Sequence, residues 1–448
     1  MRILGFVRYA FSIGAAVAIL AGCGALSAQG DKTGGGTEPP MGVPNTAGKK
    51  IDHVIIIVQE GRSFNNLFLG YPGTQSYGYA GKKKIALKPV SLATKWNIIV
   101  NGKWCNGTGK LPDTDCRMNG FYKEGWTCNQ PGFPPCPIKY PPYAYVPRNE
   151  TAPYLDMAKQ YALADEMFAS NYDGSSFVSH QYLIAGQADG TTGYPVGGGW
   201  GCPGGPSDRI RTLNQRREYD SLIQPCFNNT TLGDELDRAG ISWAYYASPV
   251  EGGVKPCGSG DERRNDAAIG DGIWSAYQAI DHICYGPDWD KDVISPPSRF
   301  LTNVANGNLR TVTWVTPTYA NSDQAGSDSR TGPSWVASLV NAVGKSKYWN
   351  SSAIFVVWDG YGGWYDPEAP PYVDADGLGV RVPLLIISPY AKNDYVSHVH
   401  YETASILRFV EDIFGLQRLS ASDARAAAPV DAFDFGQRPR KFIPIKAP

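Results

Sequence analysis

The chain has 448 residues, and its 41 lysines and arginines against 42 aspartates and glutamates give a formal net charge of −1 at pH 7. A charge so close to zero provides no electrostatic reason to expect a nucleic-acid partner. Only 19% of the residues are charged, whereas 51 glycines, 34 prolines and 26 tyrosines are present, and such a composition favours a loop-rich exported protein.

The N-terminus has the pattern of an export signal. An apolar run that follows two arginines is too short to span a membrane comfortably, and it leads into Leu20-Ala21-Gly22-Cys23. That sequence resembles the bacterial lipobox, in which the cysteine is lipidated and becomes the mature N-terminus. Residues 1–22 are therefore predicted to be a lipoprotein signal peptide, with ordinary cleavage near Ala28 as the alternative. Residues 23–49 are predicted to be a flexible tether, so that Cys23 would anchor the protein to a membrane of the cell envelope.

Eight cysteines remain beyond Cys23, and an even number in an exported chain predicts disulfides. The sequence does not decide among their about 105 possible pairings. Closure between nearest neighbours would give the pairs Cys105–Cys116, Cys128–Cys136, Cys202–Cys226 and Cys257–Cys284. A zinc site is the alternative, but the chain has no Cys-x-x-Cys spacing, and only the last pair has a histidine nearby.

The body of the chain begins with a predicted buried strand, Val54–Val58, which is followed by Glu60 and Gly61. Residues 74–150 have little periodicity and four cysteines, so they are predicted to be an irregular insertion stapled by disulfides. Residues 151–168 have apolar side chains at helical spacing behind a Thr-x-Pro start, which predicts a helix.

A Gly-Ser-Ser turn containing Ser175 and Ser176 then precedes a predicted helical segment, His180–Gln187. A hydroxyl at a helix N-terminus gains from the helix dipole when it must become negative, although a plain serine N-cap would have the same sequence. Residues 190–300 are again loop-rich, apart from a short helical segment at Ile273–Ile283.

Strands and helices alternate in the last third of the chain, which predicts an α/β fold with a mostly parallel central sheet and helices on both faces. The predicted strands are Arg310–Pro317, Ala353–Trp358 and Val382–Ser388, and the predicted helices are Trp335–Val343 and Tyr401–Phe414. Residues 417–448 form a tail with little pattern.

Asp359 follows the strand Ala353–Trp358 directly, and Gly360, Gly362 and Gly363 come next. Open α/β sheets place their chemistry at the carboxyl ends of strands, and glycines allow the backbone to approach a ligand closely. Asp359 could instead cap a turn. Because Glu60 has the same context almost 300 residues earlier, the two carboxylates together predict a site.

Several long motifs, in the same order, resemble the bacterial phosphoesterase family, which contains phospholipase C and acid phosphatase A-type enzymes with an alkaline-phosphatase-like fold. The resemblance extends over residues 50–416, with insertions at about 74–150 and 190–300. The motifs are IDHVIIIVQEGRSFNNLF, SSFVSHQYLIAGQA, AIDHICYGPDW, VTWVTPTYANSDQAG, VVWDGYGGWYD, GLGVRVPLLIISPYAK and YVSHVHYETASILRFVEDIFGL.

The resemblance implies a phosphoric-ester hydrolase in which a divalent metal ion assists attack by a serine or threonine. When the family's site residues are carried over by position, Glu60 and Asp359 are the implied metal ligands and Ser176 is the implied nucleophile. Ser175 remains possible as the nucleophile because the match is ambiguous by one residue. His282 and His398 match histidines of the family that act on the leaving group or bind the phosphoryl oxygens. The implied substrate is a phosphate ester or a phospholipid.

The chain departs from the family pattern at five positions of these motifs. The Asn and Asp of Glu-Asn-Arg-Ser-Phe-Asp are replaced, the second carboxylate after Asp359 is lost, and the histidines of Ser-Asp-His and Tyr-Asp-His are absent. The replacing residues are Gly61, Asn65, Gly360, Gln324 and Pro367. A catalytically degenerate relative that binds an anionic ligand or a partner without turnover is therefore the alternative. Of the remaining histidines, His53 is predicted to be structural, His180 to be a helix-packing or orienting residue, and His400 to be a surface residue.

Overall fold

The structure is a computed structural model that describes residues 42–44, 47–48, 50–80, 84–105, 117–196, 200–248, 257–258 and 275–447. The predicted signal peptide and Cys23 lie outside the described residues. In the ranges that are described, no helix has both the length and the apolar character needed to cross a bilayer.

The described strands, in chain order, are β1 (His53–Gln59), β2 (Tyr79–Ala80), β3 (Ile85–Ala86), β4 (Lys88–Pro89), β5 (Ile98–Ile99), β6 (Gly125–Trp126), β7 (Ala144–Tyr145), β8 (Ala162–Phe168), β9 (Thr191–Val196), β10 (Arg209–Leu213), β11 (Tyr219–Ile223), β12 (Trp243–Tyr246), β13 (Val293–Ile294), β14 (Val312–Val315), β15 (Ser352–Trp358), β16 (Arg381–Ile387), β17 (Tyr395–Ser397) and β18 (Tyr401–Glu402).

The described α-helices are α1 (Phe64–Phe68), α2 (Ala152–Gln160), α3 (Ser176–Ala185), α4 (Leu232–Arg238), α5 (Asp281–Cys284), α6 (Pro287–Asp292), α7 (Arg299–Ala305), α8 (Gly332–Gly344), α9 (Ala404–Phe414) and α10 (Ala421–Arg425). Short 3-10 helices cover Phe121–Lys123, Ala276–Ala279, Tyr319–Asn321, Trp349–Ser351 and Val430–Ala432.

One central sheet has the strand order β13-β12-β14-β1-β15-β16-β8-β17, with β18 also paired to β8. Strand β16 is antiparallel to both of its neighbours, and every other pair in this sheet is parallel. The predicted α/β fold with a mostly parallel sheet is confirmed. Strands β1 and β15 pair without a register shift from His53 opposite Ser352 to Gln59 opposite Trp358.

Helices cover both faces of this sheet. The ring of Phe355 packs on Phe409 of α9 with centroids 5.0 Å apart, and the ring of Trp358 packs on Tyr154 of α2 at 4.9 Å. Residues three apart in a strand point to opposite faces, so α9 and α2 lie on opposite sides. Trp314 is level with Phe355 across β1, and its indole donates a hydrogen bond to the backbone of α3, which places α3 on the same face as α9.

Two predictions about secondary structure were wrong. The helix predicted over residues 151–168 ends at Gln160, and Ala162–Phe168 is strand β8. Its alanines, leucine and methionine favour a helix, but hydrogen bonding to strands on both sides outweighs this weak preference. The loop-rich region 190–300 also contains Trp243–Tyr246, a short buried strand of the central sheet.

The C-terminal segment packs on the body of the protein, although its sequence has little pattern. Phe442 contacts the ring of Trp349 at 4.9 Å, and the backbone of Ile445 exchanges two hydrogen bonds with the side chain of Asn341. This segment therefore contributes to the core around α8.

Three of the predicted disulfides are present in the structure, namely Cys128–Cys136, Cys202–Cys226 and Cys257–Cys284. Cys105 is also disulfide-bonded, and its predicted partner Cys116 lies outside the described residues. The segments that these bridges tie have only short strands, so covalent closure replaces the hydrogen-bonded ladders that hold the central sheet.

Replacing both Cys202 and Cys226 by serine is expected to lower the free energy of unfolding by about 3 kcal/mol, because the bridge closes a loop of 24 residues. Denaturant titration of the exported protein measures this change. Peptide mapping without reduction should recover the three described pairs, and a different pairing or several free thiols would contradict the assignment.

Candidate active site

Two acidic side chains lie next to each other where β1 and β15 end. Because Gln59 is level with Trp358, the residues that follow, Glu60 and Asp359, meet at the same edge of the sheet. Both are buried, with 0% and 1% of their surface exposed. The backbone N–H of Gly61 donates a hydrogen bond of 2.7 Å to Oδ1 of Asp359, which ties the two strand ends together.

Helix α3 brings a hydroxyl and an imidazole to this pair. Ser176 is its first residue and His180 lies one turn later, so both side chains are on the same face of the helix. Nε2 of His180 is 2.8 Å from Oε1 of Glu60, and its Nδ1 is 3.4 Å from the hydroxyl of Tyr245. Tyr245 thereby orients the ring so that its other nitrogen faces the carboxylates.

The electrostatics of the pair indicate a missing positive charge. Burial raises the pKa of Glu60 to about 8, and burial together with the charge of Glu60 raises the pKa of Asp359 to about 8. The side chain of Ser176 interacts with both carboxyl groups and favours their charged forms. Even so, Oε2 of Glu60 and Oδ2 of Asp359 are buried with no partner in hydrogen-bonding geometry in the described part of the chain.

These residues fit a divalent cation. Ligand atoms of Glu60, His180 and Asp359 all lie within 4.8 Å of one another, and the three residues are buried. Carboxylate oxygens and an imidazole nitrogen together suit several divalent metal ions, and a cation would satisfy both unpaired oxygens at once. The predicted ligands Glu60 and Asp359 are thus together, and His180 adds a third donor.

The loop before α3 is fixed by Asp173. Its Oδ1 accepts hydrogen bonds from the backbone and the hydroxyl of Ser175, both at 3.0 Å, and its Oδ2 accepts one from Thr192. The side chain of Ser175 therefore forms its hydrogen bond within the loop, whereas the side chain of Ser176 interacts with the two carboxyl groups. Of the two serines, Ser176 is the one that the geometry brings to the acidic pair.

Backbone segments around the site touch at glycines. A Cβ atom on Gly360 would lie 2.5 Å from the carbonyl oxygen of Gly174, and one on Gly362 would overlap with the carbonyl oxygen of Gly61. The loop after β15 therefore approaches both the loop before α3 and the loop after β1 too closely for side chains. Position 360 therefore has no room for the second carboxylate that the resemblance predicts there.

A cavity of about 210 Å³ opens beside Ser176. Its walls come from the strand-end loops, from the insertion at 74–150 and from β9, and the lining side chains include those of Asn97, Ile98, Thr127, Tyr194 and Gln324. The hydroxyl of Tyr194 accepts a hydrogen bond of 3.4 Å from the backbone N–H of Ser176. A ligand in this cavity would meet the Ser176 hydroxyl.

The acidic residues of the two altered histidine motifs have structural contacts. Oδ2 of Asp323 accepts hydrogen bonds from the hydroxyl of Tyr154 at 2.8 Å and from the indole of Trp358 at 3.0 Å. Asp366 forms a fully buried ion pair of 3.0 Å with Arg381. Both residues support the strand ends and do not touch the Glu60–Asp359 pair in the contacts described.

The two histidines predicted for the site have their contacts elsewhere. His282 interacts with Asp234 at 2.9 Å and with Asn228, and its side chain is 37% exposed. His398 interacts with Asp165 at 2.8 Å and is 55% exposed. No described hydrogen bond connects either of them to Ser176, Glu60 or Asp359. The imidazole that lies within hydrogen-bonding distance of Glu60 belongs to His180, for which the sequence predicted a helix-packing or orienting role.

Several phospholipases are similar to this chain in sequence. The chain is 24% identical over 411 residues to a non-hemolytic phospholipase C of Burkholderia pseudomallei, a match that covers 82% of this chain and 55% of that protein. It is also 24% identical over 451 residues to phospholipase C B of Mycobacterium tuberculosis, covering 88% and 80%. The chain thus spans only about half the length of the Burkholderia relative.

Among solved structures, a protein of the alkaline phosphatase superfamily from Vibrio parahaemolyticus aligns with a TM-score of 0.37 and 10% identity, over 86% of this chain and 72% of that one. The model of the family described as "Phosphoesterase family" matches residues 51–417. The predicted resemblance is confirmed, and the chain belongs to the phosphoesterase family.

Proposed function

We propose that the protein is an exported phosphoric-ester hydrolase of the phospholipase C and acid phosphatase type, with Ser176 as its nucleophile. The observation that carries this proposal is the position of Ser176, which lies between a ligand-sized cavity and two buried carboxyl groups, each of which has one oxygen without a hydrogen-bond partner among the described residues. The relatives at 24% identity are named phospholipases C, which supports a phospholipid or a related phosphate ester as the substrate.

In this proposal Glu60, His180 and Asp359 hold a divalent cation beside Ser176. Such an ion, when bound, would neutralise charge on phosphoryl oxygens and lower the pKa of the serine hydroxyl. Oγ of Ser176 attacks phosphorus as its proton passes to a carboxylate oxygen, the P–O bond to the leaving group breaks, and the leaving oxygen takes a proton from solvent to become the alcohol. Water then attacks the phosphoserine, releases the phosphate product and returns a proton to the Ser176 oxygen. The start of α3 favours the developing negative charge on Oγ.

Export rests on the sequence of the N-terminus together with the disulfides. The pattern around Cys23 supports a lipoprotein signal, and three described disulfides support an oxidising compartment. A lipid anchor followed by the tether at 23–49 would keep the hydrolase close to phospholipid substrates.

Replacing Ser176 by alanine is expected to reduce hydrolysis of phosphate esters by about a thousandfold or more, because the attacking oxygen is lost. Rates are measured on a phosphomonoester, a phosphodiester and phosphatidylcholine. Ser175→Ala is the matched control and should retain most of the activity. Equal activity of Ser176→Ala and the unaltered protein would exclude the serine mechanism, and inactivity of the unaltered protein on all three esters would favour the non-hydrolytic alternative.

Removal of bound metal by a chelator is expected to abolish hydrolysis, and restoring a divalent cation should recover it. Glu60→Gln and His180→Ala should each lower the metal content measured by elemental analysis, since each removes one donor. Asp292→Asn, in the separate group formed by Asp237, Asp288 and Asp292, is the control and should leave that content unchanged. Loss of metal only in the control variant would place the cation elsewhere.

Cys23→Ala is expected to release the protein from membranes or to leave it unprocessed, because the lipid would have no attachment point. Fractionation of expressing cells, with mass analysis of the mature N-terminus, measures the outcome. Mature protein that begins at Gln29 and partitions with the soluble fraction would contradict lipid anchoring.

A further inference from the structure

Two of the departures from the family pattern meet in space, at the wall of the Ser176 cavity. Gly61 has φ +60°, and a Cβ atom built on it would overlap with Oε1 of Gln324, the tip of a flexible side chain. The nearest backbone neighbour, Cα of Gly362, would be at 3.5 Å, an ordinary contact. The amide of Gln324 therefore occupies the space in which a side chain at position 61 would begin.

Residues of the insertion at 74–150 contact the Gln324 amide on its other side. Nε2 of Gln324 donates a hydrogen bond of 3.3 Å to Oδ1 of Asn97. Asn97 is itself fixed by Thr127, since its backbone N–H donates to Oγ1 of Thr127 at 2.9 Å and its carbonyl accepts from the Thr127 backbone at 3.0 Å. Thr127 directly precedes Cys128, whose bridge to Cys136 closes the loop that follows.

Some N–H groups at this wall of the cavity have no acceptor in the described hydrogen bonds. Each primary amide carries two N–H groups. The bond to Asn97 uses one N–H of Gln324, and no described hydrogen bond uses its second N–H or the amino group of Asn97, two residues that line the same cavity as Ser176. A ligand that offers only acceptor oxygens, such as a phosphoryl group, complements such donors.

We propose that Gln324 donates a hydrogen bond to a phosphoryl oxygen of the ligand. Asn97 orients the amide of Gln324, and the absence of a side chain at Gly61 leaves space for it. Gly61 and Gln324 then form one unit, in which the amide from position 324 fills the space that a side chain at position 61 would need. This inference rests on the proposed function, because the ligand is taken to be the phosphate group of the substrate.

The test is a double-mutant cycle on the full chain purified without chelator, with the affinity for inorganic phosphate measured by calorimetry. Gln324→Ala should weaken phosphate binding by about tenfold or more, since a hydrogen bond to a charged group is lost. Gln324→Glu, of nearly the same shape, should weaken it further because it places a negative charge beside the anion. Gly61→Asn alone should also weaken binding, because its side chain displaces the amide of Gln324.

The decisive protein is the double variant Gly61→Asn with Gln324→Ala. The asparagine then has room and supplies an amide in the same place, so binding should return to within about threefold of the unaltered protein, a strong non-additivity for residues in contact. Gly415→Asn is the matched control, because Gly415 has φ +68° and a Cβ atom built on it would have open space around it. Additive losses in the double variant, or an unchanged affinity in Gln324→Ala, would overturn the proposal.

Melting curves of all variants separate a binding effect from misfolding, and Gln324→Glu remains informative if a position-61 variant does not fold. The two proposals fail differently. Phosphate binding that depends on Gln324 in a protein without hydrolytic activity would refute the hydrolase alone. Hydrolysis that depends on Ser176 while Gln324→Ala leaves KM and phosphate affinity unchanged would refute only the role of Gln324.

Discussion

The register of β1 and β15 is the constraint on which the site depends. Their pairing ends with Gln59 opposite Trp358, and the next residues of each strand, Glu60 and Asp359, are forced together away from water. Burial raises the pKa of Glu60 to about 8, and burial together with the charge of Glu60 raises the pKa of Asp359 to about 8, so the pair resists ionisation. A protein keeps such a pair only if something offsets its cost. His180, the hydroxyl of Ser176 and a divalent cation together would do so.

The glycines around this pair have a steric origin. Gly360 and Gly362 are packed against backbone carbonyls of Gly174 and Gly61, so these positions exclude side chains. In the sequence alone, the loss of side chains at 61 and 360 suggests decay of a catalytic site. In the folded protein the backbone of Gly174 occupies the space at position 360 and the amide of Gln324 occupies the space at position 61, while ligand atoms of Glu60, His180 and Asp359 lie close together.

The strand ends are predictable from the sequence because a long apolar run that stops at an acidic residue is typical of a buried strand leading into a site. Strand β8 is not predictable in this way, because its residues Ala162–Phe168 favour a helix. Only pairing with neighbouring strands on both of its edges makes it a strand. His180 was predicted to have a helix-packing or orienting role, although it lies four residues after Ser176, a spacing that places both on the same helix face. His282 and His398 matched family motifs, but motif position does not fix a side chain's contacts: His282 in helix α5 interacts with Asp234, and His398 after β17 interacts with Asp165.

The most direct test of the metal-assisted serine site is anomalous X-ray diffraction from crystals of the protein prepared without chelator and supplied with Mn²⁺. We predict an anomalous peak in contact with Glu60, His180 and Asp359 and next to Ser176. A peak only at the acidic group of Asp237, Asp288 and Asp292, or a Glu60–Asp359 pair that shares a proton with no metal beside it, would contradict the account.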